Sequence, residues 1–270
     1  MTKFAAIQTV STPDAERNLA AAGRLVAQAV QAGAQWVALP EYFCLMGLRD
    51  DAKLGIAEDD GDGPIQRFLS DTARQHRITL VGGTLPISAK TPGRVRNACC
   101  VYDPEGNRLA RYDKIHLFAF DNGKEAYDEA RVLEAGDTPV SFEHEGWRAG
   151  LSVCYDLRFP ELYRGLMRTP CHVLFVPAAF TYTTGLAHWL LLLRARAVEN
   201  QCYVVAPAQG GTHENGRRTF GHSVVIDPWG EVLSLALDGA EGEGFALADL
   251  SRERIEQVRL QLPALRHRKL

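Results

Sequence analysis

A thiol at position 154, a carboxylate at 41 and an ammonium at 114 are the side chains of this sequence best surrounded for covalent chemistry. The run Gly150-Leu151-Ser152-Val153-Cys154-Tyr155-Asp156-Leu157-Arg158-Phe159-Pro160-Glu161-Leu162 is apolar up to the cysteine, then leads through polar residues to a proline that can open a helix. That pattern puts Cys154 on a strand-to-helix turn, where the positive end of the helix favours thiolate over thiol. Leu39-Pro40-Glu41-Tyr42-Phe43 offers a carboxylate just past a second apolar strand, and Tyr112-Asp113-Lys114-Ile115-His116-Leu117-Phe118 offers an ammonium among apolar neighbours. Amide hydrolysis needs a nucleophile, a proton carrier and a stabiliser for the oxyanion that forms on the carbonyl. Each segment alone has a plainer reading: a core cysteine, or charges at the surface or in a structural ion pair.

Together, in the order Glu, Lys, Cys, the three signatures resemble the nitrilase (carbon–nitrogen hydrolase) superfamily. Ala187-His188-Trp189, the run Arg194 to Val205, and Gly221-His222-Ser223 through Asp227-Pro228-Trp229-Gly230 continue the resemblance, which spans Phe4-Ala5-Ala6-Ile7-Gln8 to Leu262-Pro263. The branch it looks like holds deaminated-glutathione amidase and omega-amidase. Ser11-Thr12-Pro13-Asp14 and Ala206-Pro207-Ala208-Gln209-Gly210-Gly211 lean toward the first.

The resemblance implies roles. Cys154 is the nucleophile, Glu41 the general base, and Lys114 the cation facing the tetrahedral intermediate, aided by the backbone N–H of Tyr155. Counting back from Gly136-Asp137, Glu129 falls where relatives carry a second glutamate that orients the lysine and substrate; Glu125 is the fallback. Arg158, four residues after the nucleophile, suits a bidentate grip on a substrate carboxylate, or else a salt bridge to Glu161 or Asp156. In Ala179-Phe180-Thr181-Tyr182-Thr183-Thr184-Gly185, Phe180 would pack the substrate chain and Thr184 bind its carboxylate, unless those hydroxyls cap a helix.

These residues need strand ends to hold them. Strand-like segments read at 3–9, 36–39, 78–86, 97–103, 149–153, 172–176, 203–207, 222–227, 231–237 and 244–249. Helical segments read at 13–32, 64–76, 160–168, 185–199 and 251–260. In the first of these, Pro13 starts the helix, and Leu19, Ala22, Leu25, Val26, Ala29 and Val30 form one apolar stripe. Turn residues at Asp103-Pro104-Glu105-Gly106-Asn107 and at Asp227-Pro228-Trp229-Gly230 predict two hairpins. Helices and strands interleave with no Pro/Gly/Ser-rich linker, so 1–270 reads as a single α/β domain. Pattern alone leaves a three-layer doubly wound fold open; the resemblance implies a four-layer αββα sandwich.

Composition narrows the partners. Of 270 residues, 46% are hydrophobic and 23% charged, as in ordinary globular proteins. A net charge of −3 gives no global field for nucleic acid or anionic membrane. Apolar stretches fall short of the roughly 20 residues that span a bilayer, and Met1-Thr2-Lys3 opens no signal-peptide pattern. Six cysteines at 44, 99, 100, 154, 171 and 202 form neither a disulfide framework nor a Cys-x-x-Cys pair, which points to the reducing cytoplasm. His116, His188 and His222 lack the spacing and carboxylate company of a zinc site, so no metal or other cofactor is expected.

The reading is a cysteine amidase that forms a thioester and hydrolyses a small carboxylated amide. Deaminated glutathione, giving 2-oxoglutarate and cysteinylglycine, is the first choice of substrate. The alternative is an omega-amidase releasing ammonia from 2-oxoglutaramate or 2-oxosuccinamate. A papain-like protease pairing Cys154 with His188 or His222, and a binding scaffold with a relict site, are the rivals from other classes. The resemblance further implies a homodimer.

Overall fold

The computed structural model describes residues 1–123, 125–236 and 242–269. The chain runs β1 (Thr2–Thr9), α1 (Ala15–Gln31), β2 (Trp36–Ala38), α2 (Pro64–His76), β3 (Thr79–Val81), β4 (Leu85–Ser88), β5 (Val95–Tyr102), β6 (Arg108–Asp113), β7 (Ala119–Asp121) and β8 (Ala126–Asp128). It continues through β9 (Ser141–His144), β10 (Trp147–Leu151), α3 (Pro160–Leu166), β11 (Val173–Phe175), α4 (Tyr182–Asn200), β12 (Tyr203–Ala206), β13 (Ala208–Thr212) and β14 (Arg218–Phe220). The last elements are β15 (Val224–Ile226), β16 (Val232–Leu235), β17 (Gly244–Leu250), α5 (Arg252–Gln261) and α6 (Ala264–His267).

Two large sheets result. The first has the order β14-β13-β1-β2-β3-β5-β4, with β17 also on β1 and β6 also on β5; the second is β16-β15-β12-β11-β10-β9. At the centre of the first lie four parallel strands, β13-β1-β2-β3, and of the second three, β10-β11-β12.

Strand β1 reads Phe4-Ala5-Ala6-Ile7, without a polar face, because both of its faces are covered. Phe4 and Ala6 join Trp36 and Ala38 against Trp147, Leu151 and Phe175 of the other sheet. Phe4 stacks on Trp36 at 5.1 Å and meets the edge of Trp147 at 5.1 Å, an aromatic seam across the sheets. Ala5 and Ile7 point the opposite way, into a core with Leu25 and Val26 of α1 and Leu69 and Ala73 of α2. On the second sheet, a side chain at Gly150 would meet Leu166 of α3, so α3 covers the face opposite Trp147, Ala149 and Leu151. Trp189, Leu193 and Ala197 of α4 pack with it. The layers are helix, sheet, sheet, helix: the four-layer αββα sandwich.

Most expected elements form, with informative differences. Helix α1 begins at Ala15, not Pro13, because the Asp14 carboxylate accepts from the Arg17 N–H at 3.1 Å and caps it. The run expected at 78–86 splits around Gly82-Gly83, since Gly83 has φ +57° and a β-carbon there would run into the Pro40 carbonyl. Both hairpins form, β5 to β6 and β15 to β16. Leu237, the end of the strand expected at 231–237, lies outside the described residues, as does Lys124. Beyond the strand that the 103–107 hairpin implied where β6 stands, no expectation covered β7 to β9, β13 or β14. Among the described residues, no helix is long and apolar enough to cross a membrane.

Candidate active site

Glu41 follows β2, Lys114 follows β6, Cys154 follows β10, and Ala179 follows β11, so the carboxyl ends of strands from both sheets converge. Two of these turns are held in the left-handed region that L-residues seldom enter: Tyr42 at φ +58° and Cys154 at +49°. The turn at Cys154 is fastened by buried Asp156, whose carboxylate accepts from the Val153 N–H at 2.8 Å, the Tyr112 hydroxyl at 2.7 Å and the His116 N–H at 3.0 Å. One carboxylate thus ties the cysteine turn to the segment carrying the lysine.

The Lys114 ammonium is fully buried between two carboxylates. Its Nζ lies 2.9 Å from Glu41 Oε1 and 3.0 and 2.7 Å from the two oxygens of Glu129. Glu41 Oε1 also accepts from Asn97 Nδ2 at 2.9 Å, and its Oε2 accepts from the Ala179 N–H at 3.0 Å. Glu129 further accepts from the Tyr42 hydroxyl at 2.8 Å and the Phe118 N–H at 2.7 Å. Glu125 lies elsewhere, 3.5 Å from the Thr183 hydroxyl, so the lysine's second partner is Glu129.

Burial alone would push the Lys114 ammonium toward neutrality, but Glu129 and Glu41 outweigh it and hold its pKa above the ordinary value. Burial likewise raises the Glu129 carboxyl, yet Lys114 and the hydrogen bonds from Phe118 and Tyr42 bring it below its usual range. At Cys154 the pull toward thiolate expected from the helix end is outweighed. Burial first, then the Glu41 charge, raise its thiol well above the ordinary value, and Lys114 and the Ala179 N–H only partly oppose them. The helix offers little help, because α3 starts at Pro160 and residues 154–158 form a short 3-10 turn.

Over Cys154 lies a cleft of about 10 Å³, room for one water, lined among others by Phe118, Tyr155, Arg158, Phe180 and Thr184. All four expected substrate-binding residues therefore sit around the thiol. Arg158 reaches neither Asp156 nor Glu161: Nη1 is 3.3 Å from His188 Nδ1, and the guanidinium lies 5.4 Å from the centre of the Phe180 ring. The capping reading holds for Thr181, whose hydroxyl accepts from the Thr184 N–H at 3.4 Å while pairing with the Thr184 hydroxyl at 2.8 Å. The hydrogen-bond partners of His188 and His222 lie elsewhere than at Cys154: His188 Nδ1 faces Arg158 at 3.3 Å and His222 Nδ1 the Phe220 carbonyl at 2.7 Å. Among the described residues, no group of His, Cys, Asp and Glu has an arrangement that could hold a metal ion.

Sequence reasoning missed five groups: Asn97, the Tyr42 hydroxyl, the Ala179 N–H, Gln209 and Arg217. Gln209 Nε2 donates to the Glu41 backbone carbonyl at 3.0 Å and fixes the strand end. Arg217 donates to the Ala179 carbonyl at 2.8 Å and lines the cleft. Its signal was present in Asn215-Gly216, a hairpin turn pair that predicts β13 and β14 and carries Arg217 back toward the site.

Comparison with known proteins gives the family. The carbon-nitrogen hydrolase family model matches residues 3–260. The chain is 42% identical over 268 residues to a deaminated glutathione amidase of Synechocystis sp., covering 98% of this chain and 97% of that protein. It is 36% identical over 277 residues to omega-amidase NIT2 of Homo sapiens, covering 100% and 96%. The crystal structure of Saccharomyces cerevisiae Nit3, of the nitrilase superfamily, superposes with a TM-score of 0.88 at 30% identity, covering 100% of this chain and 97% of that one. The chain belongs to the carbon–nitrogen hydrolase family and is a nitrilase-superfamily amidase, a hydrolase of carbon–nitrogen bonds other than peptide bonds.

Proposed function

We propose that the protein hydrolyses a small carboxylated amide through a thioester on Cys154, with deaminated glutathione as substrate and 2-oxoglutarate and cysteinylglycine as products. The carrying observation is the buried Lys114 ammonium held between Glu41 and Glu129, with Glu129 and Cys154 lining one cleft. The thiol gives its proton to Glu41 as sulfur attacks the carbonyl carbon. The oxyanion then faces the Lys114 ammonium and the Tyr155 N–H. Collapse breaks the C–N bond, and the amine leaves with the proton held by Glu41. Water attacks the thioester, again giving Glu41 a proton, and the departing sulfur takes it back. Arg158 and Thr184 bind the acyl group's carboxylate while Phe180 packs its chain; Glu129 orients Lys114.

Omega-amidase chemistry is the second reading, supported by the human relative named above. Steady-state kcat/KM for deaminated glutathione against 2-oxoglutaramate separates the two, because only the first must house a dipeptide leaving group. We further read 1–270 as one domain working without a cofactor, as a homodimer in the cytoplasm. Exposed Leu186, Leu191 and Val198 along α4 support a partner copy, and six unpaired thiols support a reducing compartment. EDTA is expected to leave the rate unchanged and iodoacetamide to abolish it. Inhibition by chelator that zinc reverses would overturn the cofactor-free reading.

A further inference from the structure

We infer that His188 is a positioning residue for substrate selection: its imidazole holds the Arg158 guanidinium at the cleft without cancelling its charge, so that an acyl group bearing a carboxylate is preferred. This rests on the amidase reading above and deepens it, by assigning what keeps Arg158 available to the substrate.

Arg158 ends the turn Cys154–Arg158, and His188 stands in α4 one turn after Thr184. The two side chains thus come from the elements that also bring Cys154 and Thr184 to the cleft. Helix α4 is well placed to fix them. Its Arg196 Nη2 donates to the Leu157 carbonyl at 2.8 Å, beside Arg158 in the chain. Fully buried Trp189, next to His188, donates to the His222 carbonyl at 2.9 Å and packs its ring 4.9 Å from that of Phe180. From this anchored turn, His188 Nδ1 meets Arg158 Nη1 at 3.3 Å. The guanidinium lies 5.9 Å from the centre of the Tyr155 ring and 5.4 Å from that of Phe180, both in the cleft wall.

The chemistry of these partners decides what Arg158 can bind. A guanidinium only donates, so Nδ1 accepts and the proton of the neutral ring sits on Nε2. A carboxylate at position 188 would pair with the fork and cancel its charge. An imidazole takes one N–H and leaves both the charge and the other donors free, while the two aromatic faces attract the cation without accepting from it. The carboxylates around it have other donors. Asp156 takes the Val153 N–H, the Tyr112 hydroxyl, and the N–H and ring nitrogen of His116. Glu129, in the same cleft, takes Lys114, Tyr42 and the Phe118 N–H. The histidine that could have served a Cys/His protease serves the arginine instead.

The test compares deaminated glutathione with its analogue bearing a methyl group in place of the 2-oxo acid's carboxylate, and reads the ratio of kcat/KM for the two. His188→Leu, which cannot accept, should shrink that ratio by about 5-fold or more, mainly through KM. His188→Asn, with an amide oxygen near the place of Nδ1, should keep the ratio within about 2-fold of the unaltered enzyme. In an Arg158→Ala background, His188→Leu should leave the already small ratio where it is, because the histidine acts through the arginine. Equal ratios in His188→Leu and His188→Asn overturn the assignment, as does a loss of the same size with and without Arg158. A second measurement does not depend on turnover: calorimetric titration of the Cys154→Ala variant with 2-oxoglutarate and with 4-oxopentanoate. Tighter binding of 2-oxoglutarate, with the gap narrowed by adding His188→Leu, supports the role; no gap, or an unchanged one, refutes it. If neither amide is hydrolysed, the substrate reading fails, while the calorimetric comparison still decides the histidine.

Discussion

Cys154 and the adjacent pair Cys99–Cys100 of β5 are all buried thiols, and burial raises the pKa of each, that of Cys100 to about 12. Resting acidity does not distinguish the nucleophile from the core. What differs is company. Cys99 and Cys100 lie within β5, flanked by the two hydrophobic cores. Cys154 sits at φ +49° on a turn, facing a cleft, with the charges of Glu41 and Lys114 acting on it. In the proposed mechanism, reactivity comes from a proton acceptor and a cation present at the moment of attack, with no need of a standing thiolate.

The comparison breaks most decisively by mutation. Cys154→Ala, Glu41→Gln and Lys114→Ala should each lower kcat on the order of 10³-fold or more, and combining them should add little, because the three act as a unit. Cys99→Ala should leave kcat near normal and cost about 1 kcal/mol of stability. Near-normal turnover without Glu41 would refute the mechanism. Incubating Glu41→Gln with substrate should trap acyl group on the peptide containing Cys154; adduct on another cysteine would refute it equally.

Stability sharpens it next. Lys114→Met leaves two buried carboxylates without their cation and should cost roughly 3–5 kcal/mol. The pH dependence should change sign as well. In the unaltered protein the Glu129 pKa is depressed, so its stabilisation is present above the unfolded carboxyl value and lost as pH falls through the folded one. The Lys114 pKa is raised, so its contribution is complete below the unfolded lysine value and is lost only in strong alkali. In Lys114→Met, acid should instead relieve repulsion, and Tm should rise on going from pH 7 to 5. A parallel fall in both proteins would count against the charge assignment.

Alkylation gives a smaller effect of definite sign. Iodoacetamide should modify one cysteine of the native protein, Cys154, and the others only after denaturation. Because the Glu41 charge raises the Cys154 thiol, Glu41→Gln should move the pH midpoint of alkylation down while turnover collapses. An upward shift would show that Glu41 does not act on the thiol as a charge. Smallest is Tyr42→Phe, which removes one donor from Glu129 and should lower kcat a few-fold, about 1 kcal/mol.

The three principal side chains were legible because each closes a tight local signature at a strand end. Glu129 was reachable only by counting from Gly136, a position pinned where its N–H meets the Lys114 carbonyl at 2.8 Å. The Ala179 N–H was illegible, since a backbone donor has no letter of its own. Arg217 was hidden because Glu214-Asn215-Gly216-Arg217-Arg218 reads as a solvated turn. The fold was legible where both faces of a strand are apolar, as in β1. In β6, Arg108-Leu109-Ala110-Arg111-Tyr112-Asp113, only the preceding hairpin turn gave a strand away, because its charged residues, which form ion pairs with Asp60 and Asp113 along the first sheet, break the apolar pattern. The bias toward thiolate was overweighted because a helix terminus was considered without the desolvation that only the packed sheets reveal.

One carboxylate joins the halves of the molecule. Glu41 takes donors from Asn97 and Lys114 on the first sheet and from Ala179 at the end of a strand of the second. Its charge is fully compensated only once the sheets have docked face to face. A refolding chain therefore cannot acquire partial competence by forming either sheet alone. Regained turnover should report the final, longest-range step of assembly, and activity should return no earlier than the near-ultraviolet signal of Trp36 packed against Phe175.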